Sequence, residues 1–211
     1  MSRILIFGDS IAYGAWDAEG GWAQRLRKYL DQKIINSGFE LYYLVYNLGI
    51  DGETAGGILE RFENEAKLRI WENEETIIIF STGANDSIYN KTEKSFRCPP
   101  KKYKENLKQL FSLAKKYSDK IIFVGSTPVD RRVDPIPWVP DCSYKNEYIK
   151  KYDEIAKAIF ENNGGYFIEI FSEFEKLDYE KMLTDGVHPD SKGHEIIFKY
   201  VKNYLINNKI I

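Results

Sequence analysis

Asp185 precedes His188 by three positions in Asp185-Gly186-Val187-His188-Pro189, and His188 is one of only two histidines in the chain. A carboxylate so close can fix one imidazole nitrogen as a donor, which leaves the other nitrogen to take a proton. Ser10, in Ile6-Phe7-Gly8-Asp9-Ser10, offers a hydroxyl to such a base where an apolar run gives way to a turn. Each motif alone is ordinary: Gly-Asp-Ser is turn chemistry, and a histidine before proline commonly bonds nearby backbone. His194 lacks a carboxylate three positions before it and reads as a surface histidine in the first turn of the last helix.

Acyl chemistry also needs donors aimed at a developing oxyanion, and two further motifs supply candidates. In Asn47-Leu48-Gly49-Ile50-Asp51-Gly52, Gly49 lets backbone approach a substrate and present its N–H; in Thr82-Gly83-Ala84-Asn85-Asp86, Asn85 offers an uncharged amide hydrogen. Ser10 lacks the second glycine of G-x-S-x-G, which argues against the nucleophile elbow of α/β-hydrolases. Neither G-x-G-x-x-G nor a P-loop occurs, so phosphate cradling has no support.

The four motifs together resemble the SGNH hydrolases, also called the GDSL family of esterases and lipases, and stand in that family's order from Phe7-Gly8-Asp9-Ser10 to Asp185–Pro189. The one departure in the first motif is Ile11 where the family has leucine. The resemblance implies Ser10 as nucleophile, His188 as base and Asp185 as its orienter. It implies an oxyanion hole made by the backbone N–H groups of Ser10 and Gly49 with the Asn85 amide. The activity so implied is a two-step acyl transfer to water that needs no cofactor or metal, with small acyl esters such as acetylated carbohydrates as substrates. Thioesterase or lysophospholipase activity is one alternative, and a noncatalytic carbohydrate- or acyl-binding module is another. Trp138, held between Pro137 and Pro140, is a candidate pocket wall, as are Tyr13 and Trp16 after the nucleophile and Asp9 and Val187 beside the two reacting groups.

These residues need a scaffold that gathers them. Runs rich in β-branched residues over Arg3–Phe7, Glu40–Asn47, Thr76–Phe80, Lys120–Gly125 and Tyr166–Glu169 read as strands, and segments of helical period separate them. Trp22, Leu26, Tyr29 and Leu30 share one helix face, and Ala55, Ile58, Leu59, Phe62 and Ala66 share another. Further stripes carry Tyr103, Leu107, Leu110, Phe111 and Ala114, then Tyr148, Tyr152, Ile155 and Ile159; a last helix opens near Asp190 or Ser191. The alternation predicts an α/β fold: a single three-layer α/β/α domain over residues 1–211, with a five-stranded parallel sheet of flavodoxin-like type. The loops Ser87–Pro100 and Pro128–Ser143 follow strands and are expected at the sheet edge where ligands bind.

With 211 residues, 43% of them hydrophobic, the chain can bury a full core. Its 30 basic and 32 acidic residues are interleaved and nearly cancel, which gives nucleic acid no basic face to bind. No apolar run approaches the ~20 residues of a membrane helix, and no signal-peptide pattern opens the chain, so a cytoplasmic location without membrane insertion is expected. Cys98 and Cys142 are too few for a disulfide framework, and with only His188 and His194 beside them no zinc-ligand spacing arises. Oligomeric state leaves no mark in the sequence.

Overall fold

The computed structural model describes residues 1–211. In chain order the elements are β1 (Ser2–Gly8), α1 (Ser10–Tyr13), α2 (Gly21–Asn36), β2 (Tyr43–Gly49), α3 (Ala55–Lys67), β3 (Glu75–Ser81), β4 (Tyr89–Asn90) and β5 (Ser95–Phe96). There follow α4 (Pro100–Ala114), β6 (Lys120–Val124), β7 (Cys142–Ser143), α5 (Asn146–Asn162), β8 (Tyr166–Ile168), α6 (Phe171–Glu175) and α7 (Ser191–Asn207).

Five strands form one parallel sheet in the order β2-β1-β3-β6-β8. Parallel strands need crossovers that cover both sheet faces, so their side chains are apolar on both sides. Leu5, Phe7, Ile78, Phe80 and Phe123 accordingly pack against Phe62 of α3, Leu107 of α4 and Tyr152 of α5. Ile4, Ile6, Ile77, Ile79 and Val124 pack against Trp22 and Leu26 of α2 and Val201 and Leu205 of α7. This is the α/β/α sandwich read from the sequence. No helix is long and apolar enough to cross a membrane.

The register brings the strand ends level: Gly8 lies beside Gly49 on one side and Ser81 on the other. The segments after β1, β2 and β3 therefore leave the sheet at one edge, where the strand order reverses around β1. Asp86, just past β3, reaches across to accept from the Ala55 N–H that opens α3. Desolvation pushes its carboxyl up to about 6, with the Ala55 hydrogen bond opposing the rise.

Three expectations need correction. β2 begins at Tyr43, not Glu40, because pairing with β1 starts at Ser2 and Glu40–Tyr42 stay exposed. The loops after β3 and β6 hold an unpredicted antiparallel sheet, β5-β4-β7, whose two-residue strands are too short to show a period. His194 is fully buried, not on the surface, and desolvation lowers its imidazole to about 4.

Asp153 of α5 is also buried and accepts from the Ser126 N–H at 2.9 Å and its Oγ at 3.0 Å, tying α5 to the end of β6. Desolvation pushes this carboxyl up to about 7 against those hydrogen bonds. The native state thus keeps a proton that the unfolded chain releases, and the stability this contributes is present below about pH 4 and lost as pH rises through about 7. Relative to Asp153→Asn, the wild-type protein is expected to lose at least ~1.4 kcal/mol of unfolding free energy between pH 4 and pH 8 in urea titrations.

Candidate active site

Gly8 ends β1, where an added Cβ would stand 2.5 Å from the Ser81 carbonyl oxygen and 2.6 Å from Ala12 Cβ. Only glycine lets the chain turn so tightly from strand into helix. Asp9 then caps α1, its carboxylate accepting from the Ile11 N–H at 3.0 Å. Ser10 follows as the first helical residue, whose N–H helix geometry leaves without an intrahelical partner. Asp9 is buried beneath it, and desolvation pushes this carboxyl up to about 7.

The segment carrying His188 is held as a closed loop. The Thr184 N–H donates to the His188 carbonyl at 2.8 Å, Leu183 bridges to Pro189, and Asp190 caps α7 by accepting from the Gly193 N–H. Arg132 grips the loop from outside through the carbonyls of Leu183 and Thr184. Inside it, His188 Nδ1 lies 2.7 Å from Asp185 Oδ2, and His188 Nε2 lies 2.9 Å from Ser10 Oγ. Burial works to raise the Asp185 carboxyl, yet hydrogen bonds from the His188 ring and the His188 and Val187 N–H groups hold it well below the usual carboxylate range. A charged carboxylate, an imidazole and a hydroxyl therefore stand in series, the arrangement that lets the imidazole take the hydroxyl proton.

Asn85 is buried beside them, its Oδ1 accepting from the Tyr144 hydroxyl at 2.7 Å while Nδ2 donates to the Glu53 carbonyl at 3.1 Å. These two contacts fix which way the amide faces and leave its second N–H free. Gly49 is placed otherwise than expected. Its N–H donates to Asn47 Oδ1 at 3.0 Å, and a Cβ there would lie 2.4 Å from the Tyr13 N, so it serves the close packing of β2 on α1. Gly52, three residues on in the same motif, lines the cavity with Ser10, Asn85 and His188, and its N–H meets no acceptor in the chain.

A model of GDSL-like lipases and acylhydrolases matches residues 4–201. The chain belongs to this GDSL-like family. It is accordingly a hydrolase acting on ester bonds. It is 27% identical to a GDSL esterase/lipase of Arabidopsis thaliana, over 92% of this chain and 75% of that protein. It is 24% identical to an isoamyl acetate-hydrolyzing esterase 1 homolog of Homo sapiens, over 94% of this chain and 79% of that one. Among solved structures, a lipase/acylhydrolase from Enterococcus faecalis superposes with a TM-score of 0.72 at 20% identity, covering 99% of this chain and 97% of that one. A catalytic mutant of an acetylxylan esterase from Geobacillus stearothermophilus does so with 0.69 at 19% identity, covering 95% and 92%.

The GDSL-like core opens into a cavity of about 650 Å³ walled by both long loops: Phe96 and Arg97 from one, Ile136, Trp138 and Tyr144 from the other. Trp138 lines this cavity, and the other four candidate walls lie outside it. Asp9 is buried as a helix cap, and Val187 packs in a small core with Val129, Ile136 and Phe171. Tyr13 and Trp16 line a separate groove with Gly49 and Ile50. A tyrosine in a loop, such as Tyr144, carries no sequence signature, whereas Gly52 shares its motif with Gly49 and nothing in the residue types separates the two. A methyl group at Gly49 meets backbone, while one at Gly52 meets only open space. Gly49→Ala is expected to lower stability by ~1–3 kcal/mol through overpacking against the Tyr13 backbone, and Gly52→Ala, at φ 69°, by ~1 kcal/mol through left-handed backbone strain alone, as measured by urea midpoints.

Proposed function

We propose that the chain acts as one domain and cleaves carboxylic esters through an acyl-enzyme on Ser10. The carrying observation is the unbroken series Asp185 Oδ2, His188, Ser10 Oγ at 2.7 and 2.9 Å. His188 Nε2 takes the hydroxyl proton as Oγ attacks the ester carbonyl, and the resulting imidazolium returns that proton to the departing alcohol. Water then enters, gives a proton to His188 as its oxygen attacks the acyl carbon, and His188 passes that proton to Ser10 Oγ as the acid leaves. The oxyanion donors we assign are the N–H groups of Ser10 and Gly52 with the free N–H of the Asn85 amide, Gly52 replacing Gly49 because it borders the cavity and has no internal acceptor.

For the substrate we propose acetyl esters, with an acetylated carbohydrate as the favoured class. Two groups of similar proteins carry names that specify acetate esters, acetylxylan esterase and isoamyl acetate-hydrolyzing esterase. The cavity mixes the exposed Trp138 ring with Asn90, Glu93, Arg97 and Asp51, a combination suited to the apolar face and the hydroxyl edge of a sugar.

Hydrolysis of p-nitrophenyl acetate is expected to fall to background in Ser10→Ala, and Asn85→Ala is expected to lower kcat by ~10²–10³ while KM changes little. A panel of acetyl to decanoyl esters and acetylated xylooligosaccharides tests the substrate class. Turnover that persists in Ser10→Ala refutes the acyl-enzyme, and a maximum at long chains refutes the acetyl preference.

A further inference from the structure

Trp16 is 64% exposed, yet its indole edge is fitted into the Asp185–His188 pair. Its Nε1 lies 3.0 Å from Asp185 Oδ2 and 2.9 Å from His188 Nδ1, and the two rings meet edge to face with centroids 5.7 Å apart. An indole nitrogen only donates. If His188 Nε2 is to receive the Ser10 proton, Nδ1 must carry its own hydrogen and cannot accept another. The Trp16 N–H is then directed to Asp185 Oδ2, so that oxygen receives two side-chain donors while Oδ1 receives the N–H groups of Val187 and His188. Four donors leave the carboxylate no freedom to rotate.

The backbone around Trp16 is built to hold this contact. Trp16 adopts φ 62°, a left-handed conformation that bulky residues avoid unless their surroundings impose it. On one side the Ala15 N–H donates to the Ser10 carbonyl at 3.0 Å, and on the other Asp17 is buried and anchored by the N–H groups of Glu19 and Gly21 and by Arg25. The turn that follows α1 thus reaches across to the far member of the hydrogen-bonded series.

We infer that Trp16 is a positioning residue: its indole N–H completes the hydrogen-bond shell of Asp185 and keeps the Asp185–His188 pair in the orientation that serves Ser10. The inference rests on the ester-hydrolase reading for its kinetic consequence but not for its structural one.

Trp16→Phe keeps a ring and removes the N–H, and because the side chain is exposed the variant folds. It is expected to lower kcat for p-nitrophenyl acetate about tenfold with KM within about twofold, the effect of losing one hydrogen bond to a charged group. In the substrate-free protein, the low-field proton resonance of His188 Nδ1–H is expected to shift or broaden against wild type. A rise in KM with kcat unchanged would make Trp16 a wall of the substrate mouth and overturn the proposal, as would an unaltered low-field resonance. If the wild-type protein hydrolyses no ester, the function reading falls while the resonance still decides the role of Trp16.

Discussion

The 2.9 Å contact between Ser10 Oγ and His188 Nε2 joins residues 178 positions apart, and the proposed mechanism depends on keeping it. Neither end is flexible. Ser10 is fixed because β1 lies inside the sheet, paired on both sides, and Gly8 permits only one way out of it. His188 is fixed because α7 docks against α2 on the same sheet face, and the loop before α7 is closed by its own backbone bonds and by Arg132. Losing a hydrogen bond at the site would cost little stability; displacing it by an ångström would cost ~10²-fold in rate. Most of the scaffold therefore serves to hold positions.

That division explains how much could be read in advance. The five strands and the main helices were legible because burial on both faces writes continuous apolar runs into the strands and burial on one face writes a period of 3.6 into the helices, and Trp22, Leu26, Ile58, Phe62, Leu107 and Leu110 are all buried as their spacing required. That Ser10, His188 and Asp185 would meet was legible because acyl chemistry restricts the residue types that could be grouped, and the strand order explains why motifs so distant converge. Backbone donors were not legible. Any glycine can present an N–H, and choosing Gly52 over Gly49 requires knowing that Asn47 already occupies one of them. His194 misled for a related reason: a polar ring in the first turn of an amphipathic helix looks solvated unless one knows that the loop around Ala15 and Gly21 covers it.

The same edge of the sheet gathers four aspartates whose protonation differs through the donors each one has. Asp9, Asp86 and Asp153 are desolvated with few hydrogen bonds to compensate, and their carboxyls rise toward neutrality. Asp185 is less buried and meets more donors, so it stays ionised. The contrast has a chemical consequence. Asp9 and Asp185 both act on His188, and a full charge on Asp9 behind the nucleophile would draw the imidazolium away from the partner that orients it. Burial of Asp9 weakens that competitor while still leaving it an acceptor for the helix N-terminus.

Reaction and selectivity are thus carried by different parts of the chain. The reacting groups sit on short turns bound to the parallel sheet. The cavity walls come from the two long loops, which are joined through the pairing of Tyr89 with Ser143 and of Asn90 with Cys142. Several contacts couple the two parts: Arg132 holds the carbonyls of the loop before α7, and Tyr144, just after β7, donates to the Asn85 amide that lines the cavity with Ser10. A change in loop sequence can therefore reshape the cavity around Trp138 and Arg97, but any shift that moves Tyr144 also turns Asn85, one of the proposed oxyanion donors. Selectivity is free to vary only as far as that hydroxyl stays in place.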